Sequence, residues 1–265
     1  MGILDIAFSP CPNDTFIFHA LLSGKIDTRG HGFRAHISDV EDLNLRALQG
    51  LYAVTKLSFF AWLRLRDRYT LLDSGAALGR GCGPLVVSRP GGADLARAHI
   101  AIPGNYTTAF LLMRLWRPDA RRVTAVRFNE IMPGVAEGRF DAGLIIHEGR
   151  FVFPLYGLEK IIDLGEWWEG ETGLPIPLGC IALRSDMEAL RADMNALVRS
   201  SVEYARTHPD ASSEFVRAHA QEMDDAVIER HIGLYVNDFT VDLGDEGKRA
   251  VAGLEEMARC RGILE

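Results

Sequence analysis

Residues 83–89 read GPLVVSR, and residues 179–185 read GCIALRS. Each opens on glycine, runs through a short apolar stretch and closes on a serine–arginine or arginine–serine pair. A continuous apolar run of this length, bounded by turn residues, fits a strand buried on both faces. We read the two as paired crossovers that carry the chain between two lobes. They bracket a middle block, residues 88–182, which makes lobe II; lobe I is discontinuous, residues 1–87 plus 183–265.

Outward from these two runs, strand-like and helix-like stretches alternate. LDIAFS (4–9), FRAHIS (33–38), YAVTKLS (52–58), YTLLDS (69–74), HIAIPG (99–104), VTAVRF (123–128) and AGLII (142–146) read as strands. DTFIFHALLSG (14–24), DVEDLNLRALQG (39–50), FFAWLRLRD (59–67) and YTTAFLLMRLW (106–116) read as helices, and EIMPGVAEG (130–138) as a short helix carrying a proline. Residues 75–83, GAALGRGCG, read as a loop near the hinge, and 164–179, LGEWWEGETGLPIPLG, as a loop rich in Trp, Gly and Pro. From Asp186 onward the pattern is almost wholly helical, with a polar break at THPDASS (207–213). Neither a sequence repeat nor a low-complexity segment appears. Such alternation predicts an α/β fold rich in parallel strands. Two lobes joined by two strands enclose a cleft, where small ligands bind, and the carboxyl ends of the strands should face it.

Composition narrows the function. A chain of 265 residues with 48% apolar and 25% charged residues is ordinary globular material. A formal charge of −7 argues against a nucleic-acid binder. It leaves room for an anionic small ligand, because helix ends act locally. No apolar run is long enough for a membrane span. The opening MGILDIAFSPCPND has no basic segment before its apolar stretch, and position 6 is Ile where myristoylation needs Ser or Thr. A cytoplasmic protein is the expectation. Cys11, Cys82, Cys180 and Cys260 stand apart, so neither a zinc knuckle nor a redox pair is expected.

Four strand ends carry candidate chemistry. SPCPND (9–14) opens the first helix; its prolines stiffen the loop, and Asn13 or Asp14 can cap the helix. TKLSFF (55–60) puts Lys56 and Ser58 on one strand face just before a helix, where free N–H groups gather. An ordinary cap beside a solvated lysine fits the same pattern. PGNYTTAF (103–110) repeats the arrangement in the other lobe: Thr107 and Thr108 lead into a helix, and Ala109 allows close approach to its end. A plain threonine cap fits this stretch equally well. DAGLIIHEGRF (141–151) ends an apolar strand in His147 and Glu148. An imidazole, with an ordinary pKa near ~6.5, takes up a proton at neutral pH without adjustment. Glu148 points away from His147 if the strand continues. His19, His31, His36, His99, His208, His219 and His231 show no metal-ligand spacing and read as structural or solvated. Trp167 and Trp168, beside Pro175 and Pro177, form either an aromatic wall or a packed loop.

Taken together, SPCPNDTFIFHAL, KLSFFA, SGAALGRGCGPLVV, AIPGNYTTAFLL, DAGLIIHEGRF and IDLGEWWEGETGLPIPLG resemble the 1,4-dihydroxy-6-naphthoate synthases of the futalosine route to menaquinone. The resemblance runs in order from about residue 7 to about residue 240. It implies a two-lobed fold similar to the type II periplasmic binding proteins. It implies a carbon–carbon lyase that converts cyclic dehypoxanthinyl futalosine into 1,4-dihydroxy-6-naphthoate and a small, dihydroxyacetone-like polyol ketone. By motif, His147 is the proton acceptor. Lys56, Leu57, Ser58, Thr108 and Ala109 are substrate-binding, with Asn44 a lesser candidate. No metal or organic cofactor is implied, and the partner is an anionic small molecule. A chorismate dehydratase of the same route shares the architecture but lacks the SPCPND opening. A non-catalytic anionic-solute binder on the same scaffold is the other alternative.

Overall fold

The computed structural model describes residues 2–220 and 224–264. Its strands form two sheets. In the first, β2 (Gly32–Ile37), β1 (Ile3–Phe8), β3 (Val54–Ser58), β11 (Ile176–Arg184) and β4 (Tyr69–Leu71) lie in that order, and β5 (Ala77–Gly79) also pairs with β11. In the second, the order is β10 (Glu159–Asp163), β6 (Leu85–Ser88), β9 (Ala142–Ile145), β7 (Ile100–Ile102), β8 (Val123–Ala125). Each sheet contains a parallel trio beside an antiparallel strand. The trio β2-β1-β3 is followed by β11, and the trio β8-β7-β9 by β6.

The two antiparallel strands are the two apolar runs that suggested crossovers. β6 is buried along its length, and β11 is buried from Gly179 to Leu183, as strands with neighbours on both sides and cover on both faces must be. Each lies wholly in one sheet, β6 in the second and β11 in the first, so the expected cuts at 87/88 and 182/183 fall inside these strands. The chain leaves the first sheet through residues 80–84 and returns through residues 173–175. At the outward crossing, Gly83 meets Gly165 so closely that a Cβ on Gly83 would lie 2.2 Å from the Gly165 nitrogen. Any side chain there would force the two segments apart.

Helices repeat one order in both halves: β1, α1 (Pro12–Leu22), β2, α2 (Val40–Ala47), β3, α3 (Phe59–Leu63); then β7, α4 (Thr108–Trp116), β8, α5 (Phe128–Ala136), β9, α6 (Gly149–Val152). The carboxyl ends of β1, β3, β7 and β9 therefore carry four equivalent loops, and these loops hold the four candidate stretches. One apolar cluster joins Phe16, Ile17 and Phe18 of α1 to Leu197 and Val198 of α8 (Arg191–Thr207). A second is continuous across both sheets, from Leu57 and Phe59 through Leu111 and Leu144 to Leu254 of α12 (Gly244–Cys260). Among the described residues, no helix is long and apolar enough to cross a membrane.

Three local expectations change. The Trp-rich stretch expected as a loop is helix α7 (Leu164–Thr172). Asp163 caps it by accepting from the amides of Gly165 and Glu166, and Gly173 ends it at φ 68°. Residues 77–79, expected within a loop, are strand β5, which finds its partner in β11 only through the tertiary fold. The helical tail is broken into α8, α9 (Ser213–His219), α10 (Asp225–Tyr235), α11 (Asp238–Val241) and α12. Of that expected helical tail, residues 221–223 and Glu265 lie outside the described residues.

Candidate active site

A cavity of about 80 Å³ lies where the four loops meet, lined from the first half by Asp14, Lys56 and Ser58 and from the second by Thr108, Ala109 and His147. Strand alternation explains the first set. Lys56 and Ser58 share one face of β3, while Leu57 between them points the other way into the core, 0% exposed. Of the expected Lys-Leu-Ser segment, the cavity meets the two outer residues, and the Leu57 side chain does not line it.

The first half holds its charges in pairs. Lys56 Nζ donates to Asp14 Oδ1 at 2.7 Å, and both groups are buried. Asp14 also accepts from Ser9 Oγ at 2.7 Å, from the Ser9 amide at 3.2 Å and from Asn13 Nδ2 at 2.8 Å. A buried carboxylate persists only with such partners. Asp14 thus reaches back from the first turn of α1 rather than capping it. The cap position is Cys11, whose side chain makes no capping bond. Asn44 sits behind the wall, fully buried. It accepts from the Ser58 amide at 3.0 Å and donates to Ser58 Oγ at 3.2 Å. Ser58 occupies the cap position of α3 but forms no side-chain cap bond.

In the second half, Thr107 caps α4, accepting from the Phe110 amide at 3.2 Å. Thr108, the first helical residue, reaches across. Its Oγ1 donates to the Leu178 carbonyl of β11 at 2.7 Å and accepts from the Phe60 amide of α3 at 3.2 Å. This alters the expectation of two open helix ends, because Thr108 has taken one amide of α3. The amides of Thr108 and Ala109 themselves have no acceptor within their own helix.

His147 follows β9 at φ 56°, in the left-handed region that non-glycine residues rarely enter. The strand ends at Ile145, so the alternation that would have turned Glu148 away does not apply. Arg150 anchors the turn, donating to Asp163 Oδ2 at 2.9 Å and to the Gly83 carbonyl. His147 Nδ1 lies 3.3 Å from Cys11 Sγ on the opposite half, and the Phe128 ring packs 5.1 Å away. Nε2 has no hydrogen-bond partner among the described residues. Burial pushes the imidazole down to about 4; the Asp14 carboxylate opposes this and the Lys56 ammonium adds to it. The ring is therefore neutral at pH 7. Burial, helped by Glu148 and Asp14, holds the Cys11 thiol well above its ordinary value.

His231 is a residue that spacing alone did not single out. It is fully buried on α10, with Nε2 2.9 Å from Asn13 Oδ1. Asn13 gives its Nδ2 to Asp14, so its oxygen accepts, and His231 Nε2 carries the hydrogen. The bare Nδ1 then lies 4.0 Å from Glu148 Oε2. Cys11, His147 and Glu148 bring three ligand-type atoms within 4.8 Å, the single such group among the described residues. Trp168 is buried, donates Nε1 to the Pro175 carbonyl at 3.0 Å, and does not line the cavity; it is packing.

Comparison with known proteins bears on this geometry. The family described as "Menaquinone biosynthesis" matches residues 4–260. A Thermus thermophilus protein named "1,4-dihydroxy-6-naphtoate synthase" is 49% identical over 264 residues, covering 99% of this chain and 96% of that protein. The crystal structure of protein AF1704 from Archaeoglobus fulgidus superposes with a TM-score of 0.94 at 35% identity, over 99% of this chain and 98% of that one. A Candida albicans protein, CA3427, described as exhibiting the generic periplasmic binding protein structural fold, matches with a TM-score of 0.73 at 11% identity, over 100% and 91%. The two-sheet α/β architecture is thus that of the periplasmic binding proteins.

Proposed function

This chain belongs to the menaquinone biosynthesis family, and we propose that it is its 1,4-dihydroxy-6-naphthoate synthase, with His147 as the general base. The substrate in this reading is cyclic dehypoxanthinyl futalosine, and the second product is a small polyol ketone. The observation that carries the reading is a neutral imidazole at the meeting of two half-sites, its Nε2 without a partner among the described residues.

For Nε2 to accept a proton, Nδ1 must hold one. Nδ1–H then points at Cys11 Sγ, and the thiol orients the ring. Nε2 removes a proton next to a carbonyl. In the retro-aldol step that follows, a hydroxyl of the polyol fragment gives up its proton, its C–O bond becomes the ketone carbonyl as the carbon–carbon bond breaks, and the electron pair of that bond stays on the ring fragment as an enolate. Aromatisation of the remaining bicycle drives the sequence. A positioned base contributes ~10²–10⁴ in rate. The substrate is an acid, and an anion held near His147 raises the imidazole from its depressed value toward neutrality. The residues proposed to hold that acid are Lys56, Ser58, Thr108 and Ala109; Asn44 supports Ser58 from behind. Entry requires movement. An apolar cavity of ~150 Å³ holds only benzene, and this one measures about 80 Å³. A bicyclic acid enters with the two halves parted, and closure then excludes water.

The test is incubation of the purified protein with cyclic dehypoxanthinyl futalosine, with chorismate as a parallel arm. Naphthoate formed by the wild type but not by His147→Ala, which still binds substrate, supports the reading. Binding without turnover by the wild type, or turnover of chorismate instead, overturns it.

A further inference from the structure

Glu41, in the first turn of α2, spans from the first half of the molecule to the second. Its two carboxylate oxygens accept from the Tyr106 amide at 3.1 and 3.2 Å, and the Asn105 amide adds to the grip. Both amides belong to the loop that leads straight into α4. On its own side, Glu41 Oε2 accepts from Asn44 Nδ2 at 3.1 Å. The loop is shaped to receive it. Gly104 has φ 154°, and a Cβ there would lie 2.3 Å from Glu41 Cδ. Asn44 also holds Ser58, so one chain of hydrogen bonds runs from the α4 entry loop through Glu41 and Asn44 to a cavity-lining hydroxyl.

We propose that Glu41 is a positioning residue that latches the loop at residues 104–106 onto the first half and so sets the start of α4 against the substrate. The inference rests on the proposed reaction and adds to it the contact that holds the two halves closed. The geometry suits a reversible catch. A carboxylate on backbone amides is a charge-assisted bond, strong when made and released to water when broken. Glu41 does not line the cavity, so it acts through Thr108 and Ala109 rather than on the reacting atoms.

The experiment is steady-state turnover of cyclic dehypoxanthinyl futalosine by Glu41→Ala, Glu41→Gln and Gly104→Ala, with small-angle scattering of each ligand-free protein. Loss of a hydrogen bond to a charged group predicts that KM rises about 10-fold or more in Glu41→Ala, while kcat falls less than about 3-fold. Glu41→Gln keeps the shape and one acceptor oxygen, so its KM lies between wild type and Glu41→Ala. Gly104→Ala attacks the same contact from the other side and raises KM likewise. The scattering radius grows in Glu41→Ala and Gly104→Ala. Should Glu41→Ala not fold, the isosteric Glu41→Gln carries the test. Wild-type KM and radius in the folded variants overturn the latch, as does a parallel fall of kcat and Tm with KM unchanged. Absence of naphthoate with the wild type is a different result: it removes the reaction assigned above, while the scattering comparison still judges the latch.

Discussion

The two halves share one order of strands and helices, and they bring opposite chemistry to the cavity. The first half contributes a buried ion pair, Lys56 with Asp14, in which the carboxylate already holds donors from Ser9 and Asn13. The second contributes neutral groups: a helix start at Thr108 and Ala109, and an imidazole at φ 56° with one nitrogen unpartnered among the described residues. Equivalent loops on one scaffold have thus become a satisfied, rigid wall and a strained, under-bonded one. Unmet hydrogen-bonding capacity and backbone strain gather where a group must act on something absent from the resting protein. The charges that flank that site are instead paired with each other.

The sharpest way to break this contrast is to remove one member from each side. His147→Ala should lower kcat by ~10²–10⁴ while leaving the urea midpoint near that of wild type, since the ring gives up only a long contact to Cys11 and its packing on Phe128. Lys56→Met should do the reverse to stability. It leaves Asp14 charged, buried and short of a partner, at a cost of about 3 kcal/mol, read as a lower urea midpoint at unchanged slope. If His147→Ala proved the more destabilising of the two, the division into a fully paired half and an under-bonded half would be wrong.

The same division marks how far the residues speak for themselves. Alternating elements and the two glycine-led apolar runs were legible, because buried strands must be apolar wherever they occur. His147, Lys56, Ser58, Thr108 and Ala109 were legible as strand-end residues, each readable within a few positions. Helix α7 was hidden by its Trp and Gly content, although Asp163 and Gly173 mark its two ends in the sequence. Cys11, His231 and Glu41 were not legible, because their roles exist only through partners 136, 218 and 65 positions away. Asp14 was read as a cap, a local role; its actual partner, Lys56, is 42 positions distant. Local chemistry survives in the sequence, and pairing across the fold does not.

Acid should separate the halves more gently. His147 ionises at about 4 in the folded chain against an ordinary 6.5, because burial disfavours the imidazolium. His231 is also held well below its ordinary value, by burial first and then by His147 and Lys56. Between these values the unfolded chain binds more protons than the folded one, so stability rises with pH there and falls as the pH drops from about 6.5 toward 4. The full shift at His147 corresponds to about 3 kcal/mol. Thermal unfolding of wild type and His147→Gln from pH 7 to pH 4 checks this. The variant should lose less stability across that window, and equal losses would mean that the ring is not desolvated.

The smallest effect probes the strain at His147 itself. A non-glycine residue at φ 56° bears a cost of ~1–2 kcal/mol that glycine escapes. His147→Ala retains that cost and His147→Gly removes it, while both delete the imidazole and its contact with Cys11. The pair therefore differs in backbone strain, offset in part by the greater freedom of glycine in the unfolded chain. His147→Gly should be more stable than His147→Ala by about 1 kcal/mol, measured as a difference in urea midpoint, with both equally inactive. No comparable gain should follow at Lys56, which lies on a regular strand. Equal midpoints for the two His147 variants would mean that the second half carries its histidine without strain, and the contrast would then rest on hydrogen bonding alone.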